Sequence, residues 1–299
     1  MPLLVLAVLL VACGVLLYAT VVAPRRLRMT SVTAPIAQLP PELDGYTIAM
    51  LSDIHHGCAP WTGRWQMRRA LAMVQGAQPD LVALLGDYGI SVKSWRGLGR
   101  WMYPRAMAAL TPALRSLRAC DGVVAVLGNH DHFYDAARVT AWLADAGATV
   151  LVNDHTCIRR GGALLVCAGL DDAKEGVIDP AAGCACAPPD APRIVLSHNP
   201  DGVLHLAPDE RVDLVLAGHT HGGQVVIPRF GAPMRLSRVC TPRAACGWIP
   251  NDRAPLYVSA GIGTVIPLRI NCAPEVVIVR LVSAAGETLP RDPNAMHRA

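Results

Sequence analysis

Several short apolar runs of strand length in this chain are each followed at once by a group of polar residues. The polar groups are Asp53-Ile-His55, Gly86-Asp87, Gly128-Asn129-His130-Asp131, Ser197-His198 and Gly218-His219-Thr220-His221. In open α/β sheets, residues that follow the carboxyl ends of the strands gather at one rim. The pattern therefore predicts that carboxylate, amide and imidazole groups from distant parts of the chain meet at a single site.

The apolar runs alternate with segments of helix-like spacing. Runs of strand length and composition are Thr47–Leu51, Leu81–Leu85, Val123–Leu127, Leu164–Ala168, Ile194–Leu196, Leu214–Ala217, Val225–Ile227, Tyr257–Ser259 and Val276–Val279. Helix-like spacing occurs at Arg64–Gln75, Ala106–Leu117, Ala136–Ala146 and Asp201–Leu206. This alternation predicts an α/β fold in which helices pack outside one or two sheets.

The chain begins with an apolar segment that ends at a group of arginines. No charged residue occurs from Leu3 to Val22, and about 20 helical residues span the roughly 30 Å of a bilayer's hydrocarbon core. Arg25, Arg26 and Arg28 follow the segment. By the positive-inside rule we expect a single-pass anchor in the inner membrane, with the following domain in the cytoplasm.

A cleaved signal peptide is the alternative for this segment. The sequence favours an uncleaved anchor because no Lys or Arg precedes the apolar run, and because Pro24 lies where a cleavage site would need to be accessible. We therefore divide the chain into an anchor at 1–24, a basic and proline-rich tether at 25–44, a folded domain at 45–283 and a flexible tail at 284–299.

Charge and cysteine content narrow the functional classes. The formal net charge is only +4, so we expect no nucleic-acid partner. The ten cysteines have irregular spacing, which favours reduced thiols in a cytoplasmic domain. If the domain lay on the other side of the membrane, Cys240, Cys246 and Cys272 would be the candidates for disulfide bonds.

The order of the polar groups resembles the calcineurin-like metallophosphoesterase family, whose pattern runs Asp-x-His, Gly-Asp, Gly-Asn-His-Asp/Glu, a single His and then Gly-His-x-His. The resemblance covers residues 45–282 and implies a two-sheet αββα sandwich. Segments 196–201, 218–224 and 259–263 look like its membrane-associated bacterial branch, some members of which are UDP-2,3-diacylglucosamine pyrophosphatases. One departure is Ile90, since the family often has an acidic residue there.

The resemblance implies two divalent metal ions. Asp53, His55 and His221 would bind one ion, Asn129, His198 and His219 would bind the other, and Asp87 would bridge them. These ligand types suit Mn²⁺, Fe or Zn²⁺, of which we favour Mn²⁺. Two ions about 3.5–4 Å apart can clamp the attacking and leaving oxygens of a phosphoryl group.

The resemblance also implies roles for two further residues. His130 would stabilise developing charge or protonate the leaving oxygen, and Asp131 would orient His130; the alternative for His130 is a residue that only starts a helix. We predict a membrane-anchored hydrolase of a phosphoester or pyrophosphate in an anionic, lipid-linked substrate. The alternatives are a broad-specificity phosphodiesterase or nucleotidase, and a non-catalytic metal-binding scaffold, which the complete ligand set disfavours.

A segment rich in tryptophan and arginine follows the bridging aspartate. Trp95, Arg96, Arg100 and Trp101 are its candidates for substrate contact. Indole rings and guanidinium groups together suit a lipid–water interface. The segment is expected to rise over the site as a flap, and the alternative is that its tryptophans belong to the core.

Overall fold

Two six-stranded sheets lie at the centre of the fold. The structure is a computed structural model that describes residues 2–58, 63–91, 96–184, 188–208 and 210–284. In pairing order, the first sheet consists of β1 (Arg28–Ile36), β12 (Glu275–Ser283), β2 (Thr47–Leu51), β3 (Leu81–Leu85), β4 (Val123–Val126) and β5 (Thr149–Val150). The second consists of β10 (Gly247–Ile249), β11 (Leu256–Val258), β9 (Leu214–Ala217), β8 (Arg193–Ser197), β7 (Ala163–Gly169) and β6 (Asp154–Arg160).

The strands that carry the polar groups run parallel within each sheet. In the first sheet β2, β3 and β4 are parallel neighbours, and in the second β8 and β9 are parallel neighbours. Antiparallel pairing occurs at β12 with β2, β10 with β11 and β6 with β7. Parallel strands end at the same edge of a sheet, so each sheet carries its polar groups along one edge.

Helices cover the first sheet, and a mixed core fills the space between the sheets. The helices are α1 (Pro2–Leu17), α2 (Gly63–Ala77), α3 (Arg96–Leu114), α4 (Asn129–Tyr134), α5 (Ala136–Asp145) and α6 (Pro180–Cys184). Met67 of α2, Leu110 of α3 and Leu143 of α5 pack in one buried cluster with Leu84 of β3. In the described residues, shorter elements, including a 3₁₀ turn at Pro200–His205, pack on the outer side of the second sheet, and α6 contacts β6 and β7. The predicted two-sheet α/β fold is confirmed.

The predicted tether differs from the structure over much of its length. Arg28–Ile36 is a strand that pairs in parallel with β12 over nine residues. Val32, Ala34 and Ile36 alternate into the core between the sheets, which is the period-2 pattern of a strand with one buried face. Pro35 suggested a tether, but a proline is tolerated here because β1 is an edge strand.

Three other predicted elements have different bounds or types. The helix predicted at Ala106–Leu117 begins at Arg96, and Asp201–Leu206 forms a 3₁₀ turn at Pro200–His205 rather than an α-helix. Val225–Ile227 contributes only isolated bridges, to Ile270 and Gly231. The predicted tail lies almost entirely outside the described residues.

The N-terminal helix is the part of the described chain that is long and apolar enough to cross a membrane. It extends as one helical segment from Pro2 to Arg25, with α1 continuing into a π turn and then a 3₁₀ turn. Its first residues are exposed, whereas Ala19, Ala23 and Pro24 are buried. The segment is therefore seated directly on the folded domain at its C-terminal end.

Arg160 joins the two sheets at the edge opposite the polar groups, and its removal is expected to destabilise the fold. Its Nη2 donates to Asp80 Oδ1 at 2.6 Å and to Asp121 Oδ2 at 3.1 Å. For this partly exposed network we expect Arg160→Met to lower the free energy of unfolding by about 1–2 kcal/mol. Urea unfolding followed by circular dichroism measures it.

The effect of Arg160→Met on the free energy of unfolding is expected to depend on pH. Burial raises the pKa of Asp80, but hydrogen bonds from Thr47 and Arg160 outweigh it and hold the pKa below its usual 3.8. The Asp80 contribution is thus complete above pH 3.8 and is lost as the pH falls through the lowered folded-state pKa. The difference in free energy of unfolding between the wild type and Arg160→Met should therefore become smaller as the pH falls. Arg159→Met, on the opposite face of β6, is the control, and an equal loss in both variants would refute the role of Arg160.

Candidate metal centre

Backbone amides tie the loops that follow four of the strands to one another. His55 N, after β2, donates to Asp87 O at 2.9 Å. His130 N, after β4, donates to Asp87 Oδ1 at 2.9 Å, and His219 N, after β9, donates to Asp53 Oδ2 at 3.0 Å. The loops of both sheets therefore form one rim, and the backbone itself fixes the positions of the predicted ligands.

Five of the seven predicted ligands adopt left-handed backbone conformations. Positive φ angles occur at Asp53 (52°), His55 (41°), Asp87 (57°), His219 (69°) and His221 (52°). Such angles are uncommon for residues other than glycine and cost free energy that the surrounding structure must supply. Backbone strain of this kind clusters at functional sites, so its concentration here supports a functional role for the rim.

The predicted ligands lie in three overlapping groups whose ligand atoms are within 4.8 Å of one another. The groups are Asp53 with His55 and His221, His55 with Asp87 and His130, and Asp87 with His198 and His219. Asp87 Oδ2 lies 3.5 Å from His55 Nε2 and 3.3 Å from His198 Nε2. Asn129 Oδ1 is 3.3 Å from His198 Nε2. The structure thus brings all seven predicted ligands together, with Asp87 between the two sides.

Backbone carbonyls orient three of the imidazoles. Nδ1 of His198 lies 2.7 Å from Leu85 O, Nδ1 of His55 lies 3.2 Å from Gly89 O, and Nδ1 of His221 lies 3.2 Å from Gly263 O. A carbonyl oxygen can only accept, so Nδ1 carries a proton in each of these rings, and Nε2 keeps a lone pair in the neutral rings of His55 and His221. Metal-binding histidines are commonly held by such a second hydrogen bond.

Several buried electron-pair donors at the centre face one another. His198 Nε2 lies 3.3 Å from Asn129 Oδ1 and 3.3 Å from Asp87 Oδ2. Burial lowers the pKa of His198, but Asp87 outweighs burial and raises the pKa well above its usual 6.5. Asp53 Oδ1, His55 Nε2 and His219 Nε2 are buried with no hydrogen-bond partner. Buried polar atoms without partners are costly, and cations placed among these atoms would satisfy them. The residues therefore fit a pair of divalent ions, and their donor types fit Mn²⁺, Fe or Zn²⁺.

Burial sets the protonation of most of these groups. It lowers the pKa of His55, His219 and His221 to about 3, so these rings are neutral at neutral pH and free to bind a metal. Burial raises the pKa of Asp87, but His198 and His130 outweigh it and hold the pKa well below its usual value. Asp87 is therefore an anion at the middle of the centre.

Asp131 does not have the predicted role. Its carboxylate accepts hydrogen bonds from the backbone amides of Gly128 at 2.7 Å, Asp87 at 2.9 Å and Tyr88 at 3.1 Å. The ring of His130 is held instead by Ser91, whose carbonyl oxygen contacts Nδ1. Asp131 is the third residue of α4, a position from which a side chain can accept from the amide that precedes the helix, and from there it also positions the Asp87 loop.

Three residues that support the predicted ligands, directly or through Asp131, were not predicted from the sequence. Ser52 Oγ donates to Asp53 Oδ2 at 2.5 Å, and the Tyr103 hydroxyl on α3 donates to Asp131. The buried guanidinium of Arg269 donates to His221 O at 3.4 Å and to Gly263 O at 2.8 Å. Ser52 could have been found because it adjoins Asp53, but the other two lie far from the motifs in sequence.

The four candidates for substrate contact divide between described and undescribed parts of the chain. Trp95 lies outside the described residues, and Arg96 is the first residue of α3. Arg100 and Trp101 are exposed on α3, and the Arg105 guanidinium lies 3.9 Å from the Trp101 ring centroid. Trp101 also lines a cleft of about 240 Å³ together with His56, next to the ligand His55. The described residues of this segment are thus the start of a helix that lies beside the loop carrying His55.

Comparison with known proteins identifies the class of the chain. Residues 46–223 match the calcineurin-like phosphoesterase family. The chain is 31% identical to phosphodiesterase YaeI of Escherichia coli over 245 residues, which cover 79% of this chain and 82% of that protein. The chain therefore belongs to the calcineurin-like phosphoesterase family and is a metal-dependent phosphoester hydrolase, as predicted.

Two further relatives span most of the chain. The metallophosphoesterase YkuE of Bacillus subtilis is 29% identical over 271 residues, covering 89% of each chain. A protein of Danio rerio named transmembrane protein with metallophosphoesterase domain is 29% identical over 297 residues, covering 92% of this chain and 62% of that protein. The resemblance seen in the motifs thus extends along the chain.

Gly128 leaves no room for a side chain next to Asp87, which gives a test of the central carboxylate. A Cβ at Gly128 would lie 2.9 Å from Asp87 Cγ, although the Gly128 backbone (φ −109°, ψ 175°) would accept alanine. Because Asp87 would have to move, we expect Gly128→Ala to weaken Mn²⁺ binding on the order of 10- to 100-fold. Isothermal titration calorimetry measures it.

Gly76→Ala in the last turn of α2 is the matched control, since a Cβ at this position would meet no atom within 4 Å beyond its chain neighbours and the backbone of its own helix. Alanine stabilises a helix interior by about 1 kcal/mol relative to glycine, so this variant should bind Mn²⁺ normally. Normal binding by Gly128→Ala would show that Asp87 is not a metal ligand.

Proposed function

We propose that this chain is a membrane-anchored hydrolase with two divalent metal ions, and that Asp87 bridges the ions. The observation that carries the proposal is the central position of Asp87, whose carboxylate belongs to two of the three ligand groups. Its side chain is 1% exposed, and an isolated buried carboxylate is unstable unless cationic partners compensate it. Two cations supply that compensation on both of its sides.

The remaining ligands divide between the two ions. Asp53, His55 and His221 hold one ion with Asp87, and Asn129, His198 and His219 hold the other with Asp87. The neutral rings of His55, His219 and His221 need lose no proton to bind. When bound, two such metal ions acidify water and neutralise the charge of phosphoryl oxygens. We favour Mn²⁺ because carboxylate, amide and imidazole donors together suit it.

His130 is placed to assist the reaction from the open side of the centre. Its side chain is 12% exposed, in contrast to the 0% exposure of His55 and His198. With Nδ1 held by Ser91 O, Nε2 points toward Asp87, 3.9 Å from Oδ2. Because Nδ1 already carries a proton for Ser91 O, Nε2 is a donor only in the doubly protonated ring. We assign this imidazolium form to donate a hydrogen bond or proton from Nε2 to a phosphoryl or leaving oxygen. Asp131 acts through the backbone, by fixing the loops of Asp87 and Asn129.

The N-terminal segment supports a location at the membrane. The segment Pro2–Arg25 has the length and apolar composition of a single span, and a Danio rerio relative is named a transmembrane protein. Arg25 and Arg26 at its end favour a domain on the cytoplasmic side of the inner membrane. The substrate we propose is therefore an anionic phosphoester or pyrophosphate borne by the membrane, such as UDP-2,3-diacylglucosamine.

A broad-specificity phosphodiesterase is the second candidate. One observation favours it, namely that the Escherichia coli relative which covers 79% of this chain is named a phosphodiesterase. Both candidates use the same centre and differ only in what binds beside it.

Removal of Asn129 tests the two-metal assignment. We expect Asn129→Ala to lose one of two bound Mn²⁺ ions and to hydrolyse bis(p-nitrophenyl) phosphate at least about 100-fold more slowly. Metal analysis and the release of p-nitrophenol at saturating Mn²⁺ check this. Asn251→Ala, in the turn before β11, is the control that should keep both ions and full activity. Wild-type turnover by Asn129→Ala would rule out the assignment.

The two substrate classes are separated by a direct comparison. We expect the full chain in detergent micelles with Mn²⁺ to release UMP from UDP-2,3-diacylglucosamine, and to stop on chelation, while Asn129→Ala releases none. Chromatography of the nucleotide product measures it. Hydrolysis of the simple diester alone would support the phosphodiesterase instead.

A further inference from the structure

We propose that the folded domain has a second contact with the lipid bilayer, beside the N-terminal helix. The contact is made by Ile227, Phe230, Met234 and Ile266, here named the apolar rim. The proposal rests on the proposed membrane anchoring and extends it, because it fixes how the metal centre is oriented toward the membrane surface.

The helix is seated rigidly on the loop that contains Ile266. Arg269 N donates to Ala19 O at 2.9 Å, and Gln66 Nε2 donates to Pro24 O at 2.5 Å. Ala19 is 1% exposed and Ala23 is 7% exposed, so both pack against the domain. The domain is therefore held against the end of the span and does not swing on a tether.

The contact between the N-terminal helix and the domain lies at the depth of the lipid headgroups. Arg26 Nη1 donates to the hydroxyl of Tyr18 at 3.0 Å, and tyrosine and arginine at the end of a span mark the membrane–water interface. Ala19 follows Tyr18 directly, so its hydrogen bond to Arg269 brings the Ile266–Arg269 loop to the same depth. A side chain exposed on that loop faces the bilayer boundary.

Hydrogen bonds join the rest of the rim to this loop. Val226 N donates to Ile270 O at 2.9 Å, and Ile270 N donates to Gln224 O at 2.9 Å. Asn271 Nδ2 donates to Val226 O at 3.0 Å. The turn that follows, closed by a bridge between Ile227 and Gly231, carries Phe230. Ile227 and Phe230 are thus held by hydrogen bonds next to the loop that carries Ile266, and Met234 follows this turn in the sequence.

The exposure of the rim is unusual for side chains so apolar. Phe230 is 77% exposed, Ile266 63%, Met234 49% and Ile227 45%. Neighbouring large apolar groups left in water mark contact sites. Arg229 and Arg235 are exposed next to them, and guanidinium groups beside apolar side chains match the phosphates and acyl chains of an anionic bilayer. Lipid is therefore the occupant that both the composition and the adjoining helix favour.

The apolar rim and the candidate metal centre are connected through neighbouring segments of the chain. His221 lies six residues before Ile227, its Nδ1 lies 3.2 Å from Gly263 O, and its carbonyl accepts from Arg269 Nη1 at 3.4 Å. The segment that seats the helix therefore also positions a metal ligand. A centre held at this depth suits phosphoesters whose phosphate lies at the bilayer surface, attached to an acyl-bearing molecule.

Photo-crosslinking of the full chain tests the rim. A benzophenone amino acid replaces Phe230 in protein reconstituted into vesicles of phosphatidylglycerol and phosphatidylethanolamine. The same amino acid at Val177, which is 79% exposed, is the matched control. Val177 lies beside β6 and β7, at the opposite end of the second sheet from β10. We expect lipid adducts from position 230 and none from position 177, with diester hydrolysis unchanged in both.

The possible failures are distinguishable. If the wild-type chain is released from vesicles by alkaline carbonate, the proposed anchoring is wrong. If the chain stays bound and position 230 gives no lipid adduct, or gives only a crosslink to a second copy of the chain, the proposed lipid contact of the apolar rim is wrong. The proposed anchoring by the N-terminal helix is then unaffected. Equal lipid labelling at positions 230 and 177 would also overturn it.

Discussion

The architecture of the candidate metal centre depends on the contacts of one buried carboxylate, that of Asp87. It lies 3.3–3.5 Å from imidazole nitrogens on both sides, in a place where a carboxylate would be unstable alone. Its backbone is left-handed (φ 57°), and the Asp131 carboxylate stabilises this turn by accepting from its amide. Tyr103 donates in turn to Asp131. The interior of the fold is thus organised to hold one negative charge where cations can meet it.

Glycine at the strand ends lets the two sheets approach closely enough to share that charge. A Cβ at Gly86 would lie 2.6 Å from Gly128 N and 2.9 Å from His198 Nδ1. A Cβ at Gly218 would lie 2.7 Å from Asp53 Oδ2. Contacts of that length are prohibitive, so no larger residue fits at either place. The glycines in the Gly-Asp and Gly-His motifs are therefore as necessary to the centre as the ligands that follow them.

The predicted ligands could be found from the sequence because each group of them directly follows an apolar run of strand length. The residues that support them could not, because most lie far from these groups in the sequence. Thr47–Leu51 and Leu81–Leu85 are strands with the predicted bounds, and each is followed by a polar residue at the rim. β1 was missed because Pro35 suggested a tether and because its partner, β12, lies about 240 residues further along the chain. Asp131 was misassigned because its neighbours depend on how α4 turns, and Tyr103 and Arg269 reach the centre only through tertiary packing.

Arg269 shows why the position of the N-terminal helix matters for the chemistry. Its side chain is fully buried, and burial lowers its pKa below the usual value for an arginine. The guanidinium is stabilised by carbonyl oxygens, including those of Ala260 at 2.9 Å and Gly263 at 2.8 Å. Its backbone amide meanwhile binds Ala19 of the helix. A shift of the helix would therefore disturb the same residue that holds His221, so the position of the N-terminal helix and the geometry of the candidate metal centre depend on one segment of the chain.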